Sequence, residues 1–259
     1  MQSIGKSLAF LALMAATRPA LTQANLTIQN HKPESPTLNL PYTADYDVSS
    51  VQHLADGTTI VRHITGHAAR SSAGVERLEG TAIQNNPNAN APGTQIWILD
   101  RTQHTAILLN TKLKTATLTR LPPDATVAVS FTPTSPGQQP APRVPKPENL
   151  TTESLGTRVE DGIDLIGRRV TSTIPTGAIG NEEPFLVTTE TWSAPQLKLV
   201  VSRAEHDPRI GEIDMKMTNL TRNEPDPALF QVPPDYKLTE QHTAMPPTPV
   251  PTNPTTPIN

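Results

Sequence analysis

VQHLADGTTIVRH (Val51–His63) sets an Ala-Asp-Gly turn between two extended runs, with a histidine on each side. Two hairpin registers are open. A two-residue Asp56-Gly57 turn, which suits type I′ geometry, places His53 opposite Ile60 and His63 opposite Ser50, on different faces. A three-residue loop puts both histidines on one face, with His63 opposite Ser49, four residues from His53. At roughly 3.3 Å per residue that is about 13 Å, whereas the ligands of one zinc each lie about 2 Å from the metal. His63 and His67 are separated by the same distance along a strand. Neither register yields a metal site or an acid/base pair. The stretch reads as a hairpin carrying surface or cross-strand histidines.

The pattern continues on both sides. Runs rich in Thr, Val and Ile are cut at short intervals by Gly, Asn, Asp and Pro. Strands are predicted at 42–54, 58–68, 75–80, 95–100, 105–110 and 115–121. A second set is predicted at 156–163, 165–174, 185–192, 197–203 and 212–220, with a short pairing near Tyr236. In TQIWILD (94–100), Ile96 and Ile98 share one face while Trp97 and Leu99 share the other, so this strand should be covered on both sides. Helical periodicity is scarce; DPALF (226–230) reads as one turn, with Asp226 as N-cap and Pro227 at the first position. The expected fold class is mostly β: a single large curved antiparallel sheet, an incomplete half-barrel with few short helices. Two separate sheets of five or six strands would each have a thin core.

The ends and the middle differ from this. Residues 1–24 combine Lys6, the apolar run Leu8–Ala16, and Thr22 and Ala24 at the −3 and −1 positions of a cleavage site; they read as a signal peptide. Residues 132–148 hold six prolines, as do 245–259. Such stretches lack donors and apolar side chains, so they read as an extended loop and a disordered tail. The expected organisation is a leader over 1–24, one β-rich domain over 25–240 with the proline-rich loop inside it, and a tail over 241–259. The exported chain should be periplasmic or extracellular. No later run is long enough to span a bilayer as a helix.

Composition excludes several functions. The chain has 259 residues and no cysteine, which removes disulfides, thiolate chemistry and a lipidated cysteine anchor. Without Lys6 and Arg18, 19 basic residues face 24 acidic ones, a net charge of about −5. Nothing in that balance points to nucleic acid. No phosphate loop, dinucleotide fingerprint, nucleophile elbow or His-Glu-x-x-His motif occurs. Glu160 and Asp161 are adjacent and fall on opposite faces of a strand, or in a turn at Gly162, so they make a poor catalytic pair. No catalytic residue, metal ligand or cofactor is assigned. Trp97 and Trp192 are the candidate ligand-binding residues, as walls of an apolar cavity on the concave face.

The segment 188–238, TTETWSAPQLKLVVSRAEHDPRIGEIDMKMTNLTRNEPDPALFQVPPDYKL, carries the most specific pattern. Trp192, Leu197, Thr218, Asn219, Pro227, Leu229, Phe230, Val232, Pro233 and Tyr236 resemble the C-terminal pattern of the outer-membrane lipoprotein carrier-like (LolA/LolB-like) superfamily. With 54–80 and 153–170, the chain also looks like a group of uncharacterised secreted acidobacterial proteins. The resemblance implies an incomplete antiparallel barrel whose hollow face takes acyl chains or other apolar ligands. The expected function is an exported, non-enzymatic envelope protein binding a lipid or apolar ligand. The alternative is a structural or protein-interaction module of the envelope, with a protein partner on its edge strands.

Overall fold

The structure, a computed structural model, describes residues 25–29, 36–54, 56–83, 94–122, 126–130 and 150–242. The leader 1–24, the proline-rich loop 132–148 and the tail from 243 onward lie outside the described residues. Fourteen strands account for most of what is described. β1 (Asn25–Gln29) and β8 (Thr126–Ser130) form a separate antiparallel pair. The others are β2 (Tyr42–His53), β3 (Thr59–Arg70), β4 (Glu76–Ile83), β5 (Gln95–Asp100), β6 (Thr105–Asn110), β7 (Thr115–Arg120), β9 (Leu150–Glu160), β10 (Ile163–Ile174), β11 (Phe185–Ala194), β12 (Leu199–Asp207), β13 (Gly211–Thr221) and β14 (Lys237–His242). These twelve make one open sheet in the order β14-β7-β6-β5-β4-β3-β2-β13-β12-β11-β10-β9. The two halves of the chain join where β2 pairs with β13. Among the described residues only short 3-10 turns, Pro195–Leu197 and Pro227–Phe230, interrupt the strands. Asp226 caps the second, accepting from Ala228 N at 2.9 Å, as its sequence indicates.

Period-two burial in β2 defines an inner face. Tyr42, Ala44, Tyr46, Val48 and Ser50 are buried and alternate with half-exposed neighbours. Their cross-strand partners share that face, so it continues through Ile64 and Ala68 to Trp97 and Leu99, and the other way through Ile213, Met215 and Met217. The main core lies on it and gathers residues as distant as Trp97, Ile163, Leu197 and Leu220. Two contacts show that the sheet coils around this face. Arg70 Nη2 on β3 donates to the carbonyl of Leu197, after β11, at 2.5 Å. Leu220 N on β13 donates to Asp161 at the β9–β10 turn, at 3.3 Å. Laid flat, those elements would be about 14–19 Å apart at ~4.8 Å per strand.

Glycines let the sheet bend. Gly66 on β3 faces Gly80 on β4, and a Cβ on Gly66 would lie 1.7 Å from the Glu79 carbonyl oxygen. The Tyr46 hydroxyl, 2.8 Å from where that Cβ would stand, donates to the same carbonyl at 2.8 Å. Gly167 on β10 sits under the Trp192 ring of β11, where a Cβ would meet the ring at 2.7 Å.

The outer face is covered on one half only. Ile96, Ile98, Leu109 and Ala116 form a second core there. After β13, residues 222–236 cross that face as a strap. Phe230, Val232 and Tyr236 cover the second core, the Leu229 carbonyl accepts from Arg77 Nη1 at 2.9 Å, and Lys114 pairs with Asp235 at 3.0 Å. The strap delivers β14 to the far edge, parallel to β7. β5 is therefore covered on both faces, as TQIWILD indicates.

Candidate ligand-binding hollow

A fold line crosses β9 to β12 and shapes the hollow. β9 carries one extra residue, Leu155, opposite the Gly167/Arg168 step of β10, and β12 carries one, Val201, opposite the Trp192/Ser193 step of β11. An extra residue in a strand kinks it and breaks the strict alternation of faces. On one side of the line Ile163, Leu165, Ala194 and Val201 face inward and are buried against the main core. On the other side register brings Arg168, Val170 and Ser172 of β10 inward, beside Thr191, Thr189 and Val187 of β11 and Arg203 and Glu205 of β12. Most of these stay half-exposed. The hollow thus has a filled end and an open end.

Trp97 belongs to the filled end. It is 6% exposed, inside the main core, with its indole Nε1 buried and unpartnered among the described residues. Trp192 stands at the fold line. It packs against the core from its edge, over Gly167, with the Arg158 guanidinium 3.9 Å from its ring centroid. Both tryptophans pack on the main core, Trp97 within it and Trp192 from its margin. On β13, Ile213, Met215 and Met217 are half-buried and pack against the same core. Apolar side chains that line a sheet interior yet keep contact with solvent form a wall that something else can cover, and methionine adapts to varied shapes.

At the open end Arg209 forks onto Asp207, with Nε at 2.9 Å and Nη2 at 2.5 Å from its oxygens. Burial alone would raise the Asp207 carboxyl, but the hydrogen bonds and charge of Arg209 outweigh it and hold the group below the usual carboxylate range. Arg203 pairs with Glu205 at 2.6 Å.

The histidines lie on the outer face. β2 and β3 pair in the three-residue register, His63 opposite Ser49 and His53 opposite Thr59. Gly57 takes φ +85°, and Asp56 accepts from Thr58 N at 2.9 Å, closing the loop. His63 pairs with Asp47, and His67 with Asp45 at 2.5 Å. Asn219 also donates to Asp45 at 2.6 Å, and this bond is the first cause holding the Asp45 carboxyl below its ordinary value, ahead of His67. These groups satisfy one another beside an outer cavity of about 290 Å3 that reaches the strap at Leu229. Among the described residues no group of three His, Asp or Glu could hold a metal ion. Asp161 and Gly162 form the tight β9–β10 turn, both at positive φ, and Asp161 is engaged with Leu220. Register sets Asp45 directly opposite His67, whereas Asp47 reaches His63 on the diagonal.

The C-terminal motif resolves into parts. Trp192 and Leu197 serve the main core, whereas Phe230, Val232 and Tyr236 are the strap that seals the second one. No protein-family model matches the chain, and no curated protein matches it. Among solved structures it is similar to an uncharacterised conserved protein from Thermus thermophilus, at 10% identity over 79% of this chain and 93% of that one, with a TM-score of 0.42. MucB aligns at 10% identity over 82% of this chain and 64% of its own, with a TM-score of 0.39. An outer membrane lipoprotein-sorting protein domain from Vibrio parahaemolyticus aligns at 9% identity over 73% and 88%, with a TM-score of 0.32. The acidobacterial likeness finds no support in these comparisons.

Proposed function

We propose that this is an exported, non-enzymatic envelope protein that binds a lipid or other apolar ligand in the hollow of its sheet. The observation that carries this reading is the half-buried row Ile213, Met215 and Met217, which packs like Trp192 on the main core at the centre of a sheet that coils but does not close. A barrel that served only as a scaffold would fill or shut that space. The residues 1–24 support export, to the periplasm or beyond. No cofactor enters the reading. Delipidated protein titrated with an apolar fluorescent probe should show saturable binding that quenches Trp192 and is lost in Met215→Asp. Absence of saturable binding by the intact chain counts against it.

A second reading, a protein-interaction module, is favoured by one observation. β9 is an edge strand of 11 residues, nearly all exposed, with Leu150 and Val159 more than half exposed. Capture of a partner that survives Met215→Asp would support it.

A further inference from the structure

Four buried side-chain atoms among the described residues lack a hydrogen-bond partner in the protein: Trp97 Nε1, Arg158 Nε, Ser172 Oγ and Arg209 Nη1. All four carry a proton to donate, and all four belong to the inner face. Trp97 and Ser172 face it by register, Arg158 stacks on Trp192, and Arg209 lies with Cζ 6.0 Å from the ring of Phe185 at the inner start of β11. A buried donor without an acceptor costs about 1–3 kcal/mol, so a native fold rarely keeps several on one surface.

Two of them converge at the open end. Ser172 pairs across the sheet with Val187, and one step beyond the Thr188–His206 pair the same row reaches Asp207, which holds Arg209. Two strands of about 4.8 Å separate Ser172 from Asp207, and the Arg209 guanidinium lies 6.0 Å from the ring of Phe185 on β11, the strand between them. Arg168 projects from the same face of β10. Its hydrogen bond is a long one of 3.4 Å to the Thr152 hydroxyl, and no carboxylate among the described residues pairs with it. Arg203 and Arg209 are matched by Glu205 and Asp207, so Arg168 leaves the inward wall with a surplus positive charge in a chain whose formal net charge is −3.

We propose that the hollow takes a single-chain anionic amphiphile, its carboxylate or phosphate head held by Ser172 Oγ, Arg209 Nη1 and Arg168, its tail lying along Met215 toward Trp192. This rests on the apolar-ligand reading and adds the head-group chemistry to it. The donors supply hydrogen bonds to a charged acceptor, the stronger kind, and the fold line keeps them two or three residues beyond the apolar row.

The test compares dodecanoate, methyl dodecanoate and inorganic phosphate on the delipidated chain by calorimetry. Dodecanoate should bind about tenfold or more tightly than its methyl ester, the factor one charge-assisted bond supplies, and the difference should shrink with added salt. Ser172→Ala should erase most of that preference, leave ester binding unchanged, and keep or raise the thermal midpoint, because the lost hydroxyl has no partner among the described residues. Arg168→Gln, at an exposed site, should weaken dodecanoate alone. Equal affinity for acid and ester overturns the head-group site and leaves apolar binding standing. Binding of neither overturns both. An equal loss of acid and ester in Ser172→Ala assigns the effect to packing and overturns the site. Phosphate binding alone with the same variant dependence makes the site one for a free anion and overturns the amphiphile.

Discussion

The half of the sheet from β2 to β7 is packed along its inner face and buttressed outside over β4 to β7, whereas the half from β9 to β13 is covered on one face and only part of its length. The first half has the main core inside and the strap outside, and it keeps strict alternation from Tyr42 to Ser50. The second half gives up alternation at the fold line and leaves its outer face to ion pairs and to Ile166 and Leu186, each about half exposed. Stability is concentrated in one half and openness in the other. Sites that must admit a ligand come from the less buttressed part of a fold.

The sharpest way to break this comparison is at two glycines with no room for a Cβ. Gly66→Ala drives a Cβ into backbone, and we expect a loss of about 3 kcal/mol or more. Gly167→Ala meets side-chain atoms only, the tip of the Trp192 ring and the Leu155 Cβ, and about 1–2 kcal/mol is expected. Denaturant midpoints measure both, and equal losses would mean the halves are equally constrained. Next in size, Phe230→Ala should unseat the strap at a cost of about 2 kcal/mol without altering probe affinity. Met215→Ala should cost about 1 kcal/mol and weaken the probe. An exchange of those two phenotypes would relocate the site.

Acid should act on the open half through Asp207. Its folded-state pKa is depressed, so its contribution is present above the unfolded value of about 3.9 and is lost as pH falls through the folded value. Denaturation of Asp207→Asn across acidic pH should therefore be flatter than that of the parent chain, and parallel curves would refute the pairing. The smallest effect is expected at the outer face, where His63→Ala removes a partly exposed pair with Asp47 and should change stability by less than about 1 kcal/mol. A larger loss there would make the outer face part of the core.

Much of the sheet was legible in the residues. Strand-like runs bounded by Gly, Asn and Pro placed β5 and β6 to the residue, and TQIWILD announced its two covered faces. The pairing of Asn25–Gln29 with Thr126–Ser130 was not, because five-residue strands joined across the chain leave no local signal. β9 begins six residues before the expected start, at Leu150. Gly156 reads as a strand end in sequence, but in the fold it sits at the bulge opposite Gly167. Alternation extended along β10 from Ile163 and Leu165 would send Ser172 to the other face; register through Thr191 of β11 and Arg203 of β12 to Met215 of β13 is what sets its row on the inner one. The depth of Trp97 in the core depends on Leu78 and Leu108 beside it, which pair by register rather than sequence proximity.

The junction of β2 with β13 brings together Asp45 and Asn219, 174 residues apart in the chain. A ribosome or secretion pore delivering the chain from its first residue therefore exposes the β2 hydrogen-bonding rim long before its neighbour emerges. Until then the rim is a template for pairing with any other extended chain. The polar residues Thr43, Asp45, Asp47 and Ser49 alternate along that rim, and they make it a poor partner for strangers while it waits.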